Sequence, residues 1–279
     1  MMLTGRAQLA GVVGWPVSHS MSPALHGYWL STYGIDGAYV PLAVKPKDLE
    51  AALRALPSLG FRGVNLTIPH KETAMHLVDE VDSLSRRIGA INTIFVEGDG
   101  RLRATNTDGF GFLANLQHSL PEFNIGGGTA IVLGAGGAAR SVVAALCGAG
   151  VSKLYVTNRT RRRAERLADA IGGPTNVVPW AERHDVLDEV GLVVNATALG
   201  MDGKPSLDLL LNTVQPDAVI ADLVYSPQET PLLKTARLNQ HPTLGGLGML
   251  LYQAVPGFEG WFGVKPEVTE DLLTHILAE

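Results

Sequence analysis

A single cysteine, Cys147, stands among 279 residues, so no internal disulfide can form and a reducing, cytoplasmic setting is expected. It falls in the apolar run "SVVAALCGAG", which suits a buried structural thiol and not a nucleophile. No apolar run approaches the roughly 20 residues that a spanning helix needs. The early stretch "LAGVVGWPV" lacks a convincing small-residue cleavage site and reads as a first strand. Eight histidines include no His-Glu-x-x-His or similar spacing that would put two ligands on one helix face, so no metal is expected. A formal charge of -5 leaves little basic surface for a polyanion, and neither nucleic acid nor membrane is an expected partner. The sequence leaves monomer and homodimer both open.

What is abundant is a globular α/β pattern, with 46% hydrophobic and 18% charged residues. Strand-like and helix-like segments alternate almost throughout, as in proteins with largely parallel sheets. Strands are predicted near 7–14, 38–44, 63–68 and 91–97, with helices near 22–33, 47–56 and 70–78 between them. The last of these follows "GVNLTIPHKET", where Val64, Leu66 and Ile68 alternate with Asn65 and Thr67, and Pro69 suits the first position of a helix. "IFVEGDGRLRAT" has the form of a hairpin turning at Gly98, Asp99 and Gly100. "DGFGFLANLQHSL" has helical spacing. A second series follows, with a strand before Gly134 and others near 153–157, 175–179, 191–195 and 218–224. Its helices are predicted near 137–148, 160–171 and 230–239. From Gly245 onward the tail is predicted to be helical, and no repeat of fixed period is present.

The clearest motif is "TAIVLGAGGAAR", a strand leading through Gly134, Gly136 and Gly137 to Ala139 and into a helix. This is the dinucleotide-binding pattern in its required context: the glycines allow a tight turn and close approach of backbone N–H groups to a pyrophosphate at a helix N-terminus. A P-loop would need Gly-Lys-Ser/Thr where Ala139, Arg140 and Ser141 stand. A methyltransferase would want an acid at the end of the second strand. That strand, "KLYVT", instead ends in Asn158, Arg159 and Thr160, followed by Arg161, Arg162 and Arg163. An arginine there accommodates a ribose 2′-phosphate where an acid would hold the free hydroxyl, which points to NADP, with Arg159 the main contact.

Three features of the first half are less decisive by themselves. Lys71 reads as a solvated lysine, and a serine such as Ser20 or Ser22 before an amphipathic helix is usually an N-cap. Asp108 has a similar reading as a helix cap.

The ordered set "GWPVSHSMSPALH", "NLTIPHKE", "GAINTI", "NTDGFG", "GAGGAAR", "NRT", "NATALGM", "DLVYSPQETPLL" and "GLGMLLYQA" resembles the shikimate dehydrogenases along nearly the whole chain. The resemblance implies a two-domain enzyme that reversibly reduces 3-dehydroshikimate to shikimate with NADPH, in the pathway to aromatic amino acids. It implies a substrate domain with a mainly parallel sheet formed by 1–107 plus 246–279, the tail helices returning to it, and a Rossmann-like NADP domain at 108–245. Matched motif by motif, Lys71 and Asp108 would be the catalytic pair. Ser20, Ser22 and Tyr225 would bind the substrate carboxylate; Asn65, Thr67, Asn92 and Gln253 would hold ring hydroxyls. Gly134, Ala135, Gly136, Gly137, Ala138, Asn158, Arg159, Thr160 and Arg163 would hold NADP(H), with Thr197, Leu223, Gly246 and Met249 along the nicotinamide side. The sequence departs from the family's usual residues at Gly27, Ala198 and Gly245, none of which carries chemistry.

Such a reaction needs a group to manage the hydroxyl proton and the charge on oxygen while the cofactor takes the hydride. Neutral hydroxyls on a carboxylate compensate charge less than a guanidinium would, so modest substrate affinity is expected. Three alternatives share the plan. A quinate/shikimate dehydrogenase would accept quinate and often NAD, which Asn158, Arg159 and Thr160 argue against. A catalytically silent NADP-binding regulator would need neither Lys71 nor Asp108. A folate-linked dehydrogenase would lack the paired serines.

Overall fold

The computed structural model describes residues 3–278. The chain divides into two compact units, one holding the chain through Thr107 and again from Leu251, the other holding Asp108–Leu250.

The first unit opens with β1 (Gln8–Gly14), α1 (Ser22–Thr32), β2 (Gly37–Ala43), α2 (Leu49–Ala55) and β3 (Phe61–Leu66). It continues with β4 (Glu80–Val81), α3 (Ser83–Ile88), β5 (Thr93–Val96) and β6 (Leu102–Thr105). The strand order is β2-β1-β3-β5-β6-β4. Only β5 runs against the others, through antiparallel pairs with β3 and β6. The expected hairpin is the β5–β6 turn. β1 lies between two parallel neighbours and is buried along Ala10, Val12 and Val13, as a strand covered on both faces must be. One face packs Leu49, Leu53, Val64, Ile94 and Leu102 into a core.

The second unit runs α4 (Asp108–Ser119), β7 (Thr129–Leu133), α5 (Gly137–Gly148), β8 (Lys153–Thr157), α6 (Arg161–Ile171), β9 (Thr175–Val177), β10 (Leu192–Asn195), β11 (Val219–Asp222), α7 (Pro231–Leu238) and β12 (Thr243–Leu244). All its strand pairs are parallel, in the order β12-β11-β10-β7-β8-β9. Chain order reverses between β7 and β10, and open α/β sheets bind ligands beyond the carboxyl ends of the strands at such a switch point.

The tail forms α8 (Gly246–Phe262) and α9 (Glu270–Leu277). The cut between the units falls inside α8, after Leu250. Its first turn belongs with the second unit because two glycines allow close approach there. A Cβ on Gly246 would lie 2.2 Å from the Leu223 carbonyl oxygen, and one on Gly248 would overlap Asn115 Oδ1. The rest of α8 supplies aromatics to the first unit: Trp261 Nε1 donates to Ile94 O at 3.0 Å, and Phe258 packs edge-on against Trp29. Trp29 Nε1 donates to Glu267 O at 3.0 Å, fastening the segment before α9 to α1.

The helix predicted over 70–78 is not formed. Beyond β3 the chain makes turns, then one 3-10 turn at Thr73–His76. Pro69 therefore does not open a helix. His70 closes a turn on Thr67 O at 2.9 Å, and its buried ring reaches Val44 O at 2.8 Å. The short β4, α3 and β12 are additional to the predicted elements. α3 has a clear local cause, since Asp82 accepts from Ser85 N at 2.8 Å at its start and Gly89 ends it with a φ of 73°.

Candidate active site

In the first unit, three of the predicted substrate residues, Asn65, Asn92 and Gln253, share one buried polar network. Asn65 projects from the end of β3, and its Nδ2 donates to Asn92 O and to Thr93 Oγ1, both at 3.1 Å. Its Oδ1 accepts from Tyr39 Oη at 2.7 Å. Asn92, just before β5, donates through Nδ2 to Thr107 Oγ1 at 3.0 Å and to Gln253 Oε1 at 3.1 Å. Its Oδ1 accepts from Thr107 N at 2.9 Å. Thr107 Oγ1 donates in turn to Gln253 O at 2.8 Å. Both amide protons of Asn65 are thus committed within the protein, so it could meet a ligand only through Oδ1 or by exchanging partners. Thr67, two residues on, is half-buried.

Lys71 lies on the turn beyond β3, and its carbonyl accepts from Ile91 N at 2.9 Å, one residue from Asn92. Asp108, buried at the first position of α4, is peptide-bonded to Thr107. Both proposed catalytic residues are therefore anchored within one residue of the same network.

The serines do not form the N-cap expected of them. Met21 occupies that position with no side-chain bond, while Ser20 Oγ accepts from Ser22 N at 3.3 Å. Ser22 is buried and hydrogen-bonds the Tyr39 hydroxyl, whose pKa burial raises well above the ordinary value. Tyr39, Thr93 and Thr107 are members of the network that sequence reasoning missed. A tyrosine or threonine in a strand reads as ordinary β-propensity, and nothing local marks its hydroxyl as part of a site.

In the second unit, Gly134 follows β7 with a φ of 122°, and its N–H donates to Thr157 O at 2.8 Å. A Cβ there would lie 2.7 Å from Ala196 O, so only glycine fits. Ala135 is buried, Gly136 caps α5 in extended conformation, and Gly137 and Ala138 form the first turn of the helix. Ala139, at the third position of the motif, is fully buried where the helix packs on the sheet. The backbone fits a pyrophosphate: open glycines lead into a helix N-terminus at the switch point.

At the end of β8, Asn158 Nδ2 donates to Thr160 O at 3.0 Å and shapes the turn carrying Arg159. Arg159, Thr160 and Arg163 are exposed, while Arg161 pairs with Glu165 at 2.8 Å along α6. The exposed guanidinium of Arg159 suits a ribose phosphate. Thr197 lies beside Gly134, and Leu223 beside Gly246, so the predicted nicotinamide-side residues gather around the ends of β7, β10 and β11. Met249 is buried in the next turn of α8. Tyr225 is half-buried beyond β11, and burial raises its hydroxyl pKa.

Two family models match, "Shikimate dehydrogenase substrate binding domain" over residues 12–94 and "Shikimate / quinate 5-dehydrogenase" over 116–200. A shikimate dehydrogenase (NADP(+)) of Paramagnetospirillum magneticum is 54% identical over 99% of this chain and 100% of its own length. The chain belongs to the shikimate dehydrogenase family. The match spans both units of the fold. The Thermus thermophilus family member, solved with NADP(H) and shikimate, superposes with a TM-score of 0.85 at 36% identity, covering 97% of this chain and 98% of that one. A quinate dehydrogenase of Corynebacterium glutamicum, solved with NAD, superposes at 0.90 with 33% identity, covering 98% and 99%. Among the described residues no group of three or more His, Cys, Asp or Glu is placed to hold a metal, and no helix is long and apolar enough to cross a membrane.

Proposed function

We propose that this chain is an NADP-dependent shikimate dehydrogenase that reversibly reduces 3-dehydroshikimate to shikimate in the pathway to aromatic amino acids. The observation that carries the reading is the buried network of Asn65, Asn92, Thr107 and Gln253, with Lys71 and Asp108 anchored on its margin. Full-length similarity to NADP-dependent family members supports the same conclusion.

NADPH supplies the hydride; the chain's residues do the rest. In reduction, Lys71 Nζ gives a proton to the substrate's ketone oxygen as the carbonyl becomes an alcohol, and in oxidation the neutral amine takes the hydroxyl proton back. Asp108 orients the amine. The hydroxyls of Ser20, Ser22 and Tyr225 receive the substrate carboxylate, selecting it by geometry more than by charge. Asn65, Thr67, Asn92 and Gln253 meet the ring hydroxyls, the two asparagines through their oxygens or by exchanging partners within the network. Gly134, Ala135, Gly136, Gly137 and Ala138 carry the pyrophosphate. Asn158, Arg159, Thr160 and Arg163 take the ribose phosphate, while Thr197, Leu223, Gly246 and Met249 line the nicotinamide side. The expected arrangement is a catalytic substrate domain built from the first unit and a cofactor domain built from the second.

The test is an absorbance assay of the purified protein with shikimate or quinate and with NADP or NAD. The expected result is turnover with shikimate and NADP far above the other three pairs. Turnover of quinate with NAD at a similar rate would favour the broader quinate/shikimate reading. Cofactor binding without turnover of either alcohol would favour a silent regulator.

A further inference from the structure

One buried carboxylate, Asp222, has no place in the mechanism above. It ends β11 in register with Asn195 at the end of β10, and it is almost fully buried. Its Oδ1 accepts from Asn195 Nδ2 at 2.9 Å and from Val224 N at 3.0 Å, and its Oδ2 accepts from Thr230 Oγ1 at 2.7 Å. Asn195 passes the arrangement on: its Nδ2 also donates to Leu199 O at 3.0 Å. Its Oδ1 accepts from Thr197 N at 3.0 Å and from Thr197 Oγ1 at 2.7 Å. Thr197 Oγ1 accepts from Leu199 N at 3.1 Å. Leu223 N donates to Asn195 O at 2.9 Å, so the backbone joins the two loops at the same point.

An ionised carboxylate can only accept hydrogen bonds. Asp222 therefore obliges Asn195 to turn its NH₂ inward and its carbonyl oxygen toward Thr197. That oxygen takes the hydroxyl proton of Thr197, which is then spent within the protein. An acceptor-only group at this place fixes the polarity of the whole chain of bonds, which a neutral side chain with both donors and acceptors would leave reversible. The cost is visible in Asp222 itself, whose pKa is raised by burial although Thr230, Val224 and Asn195 oppose the shift.

We propose that Asp222 is a positioning residue for the cofactor: through Asn195 it sets the loops that present Thr197 and Leu223 to the nicotinamide end of NADPH. The proposal rests on the function stated above and adds to it a residue that acts without touching the ligand.

The test compares wild type, Asp222→Ala, Asp222→Asn and Thr230→Val in the full-length protein. It follows NADPH binding by nicotinamide fluorescence together with KM for each substrate, kcat and thermal unfolding. Asp222→Ala is expected to raise the NADPH KM by about tenfold or more and to lower kcat, with the shikimate KM unchanged. Asp222→Asn keeps the size but can turn a donor toward Asn195, so it is expected to fold as the wild type does and still to weaken NADPH binding. If Asp222→Ala does not fold, Thr230→Val carries the test and should weaken NADPH alone. An unchanged NADPH KM, or equal weakening of both substrates, would overturn the proposal, because general loosening does not single out one ligand. A wild-type protein that binds no NADPH would overturn the proposed function and this inference with it. Normal wild-type turnover with an unaffected variant would overturn the inference alone.

Discussion

Asn92 Nδ2 donates to Gln253 Oε1 at 3.1 Å, joining two residues 161 positions apart in the chain. That bond ties the end of a turn in the first half to a helix near the chain's end, beside the bond that Thr107 Oγ1 makes to Gln253 O. Replacing Asn92 by alanine removes the side-chain acceptor of Thr107 N and one of the donors to Gln253 Oε1. A loss of about 1–3 kcal/mol per orphaned buried group is expected, read by urea unfolding, together with a raised shikimate KM. Unchanged stability with unchanged KM would show that the network is incidental.

Lys71→Ala should lower kcat by roughly 10²–10⁴-fold in a protein that still folds. Lys71 is half-buried on a turn, and alanine keeps the backbone carbonyl that accepts from Ile91 N. Turnover near wild type in a folded variant would remove Lys71 from the mechanism.

Arg159→Ala tests the cofactor assignment. The loss of one charge-assisted contact with a phosphate, worth about 1.5–3 kcal/mol, should raise the NADP KM some tenfold to a hundredfold. The NAD KM should stay as it was. Parallel changes for both cofactors would place the 2′-phosphate elsewhere.

Gly134→Ala is expected to disturb both fold and cofactor binding, because φ is 122° and the new Cβ would meet Ala196 O at 2.7 Å. Backbone strain of about 1–3 kcal/mol should appear in the melt, alongside loss of NADPH binding. An intact cofactor affinity would mean that the loop relaxes easily.

His26 is fully buried against Tyr39, with ring centroids 3.9 Å apart, and neither ring nitrogen meets a hydrogen-bond partner. Burial lowers its pKa from 6.5 to about 3. Between those values the unfolded chain binds a proton that the folded one refuses, so this group costs no stability above pH 6.5 and progressively more as pH falls toward 3. His26→Phe should flatten that part of the pH–stability curve in equilibrium unfolding. It should change stability little at pH 8, since it removes two unsatisfied polar atoms. A slope identical to wild type would assign the acid sensitivity to other groups.

The motif around Gly134 was legible because its signal is local: strand, open glycines and helix follow each other within a dozen residues, and α5 begins and ends where its spacing predicted. Lys71 shows the reverse. The alternation up to Ile68 and the proline after it suggested a strand running into a helix, but the His70 N–H closes a local turn on Thr67 O and its ring reaches across to Val44 O. The turn and that tertiary bond outweigh the weak local preference. Tyr39 and Asp222 gave no sequence signal because their importance lies in partners that adjoin them only after the sheets form.

The order of residues along the chain determined the alternation of strands and helices, the phosphate-cradling loop and the arginines behind it, since each depends on neighbours a few positions away. Tertiary packing decided which polar side chains became acceptors or donors for one another: Asn65 with Tyr39, Asn92 with Gln253, Asp222 with Asn195. Hydrogen bonds are short-ranged and directional, so a sequence can list the groups, but only the folded backbone brings them within 3 Å and turns them to face each other.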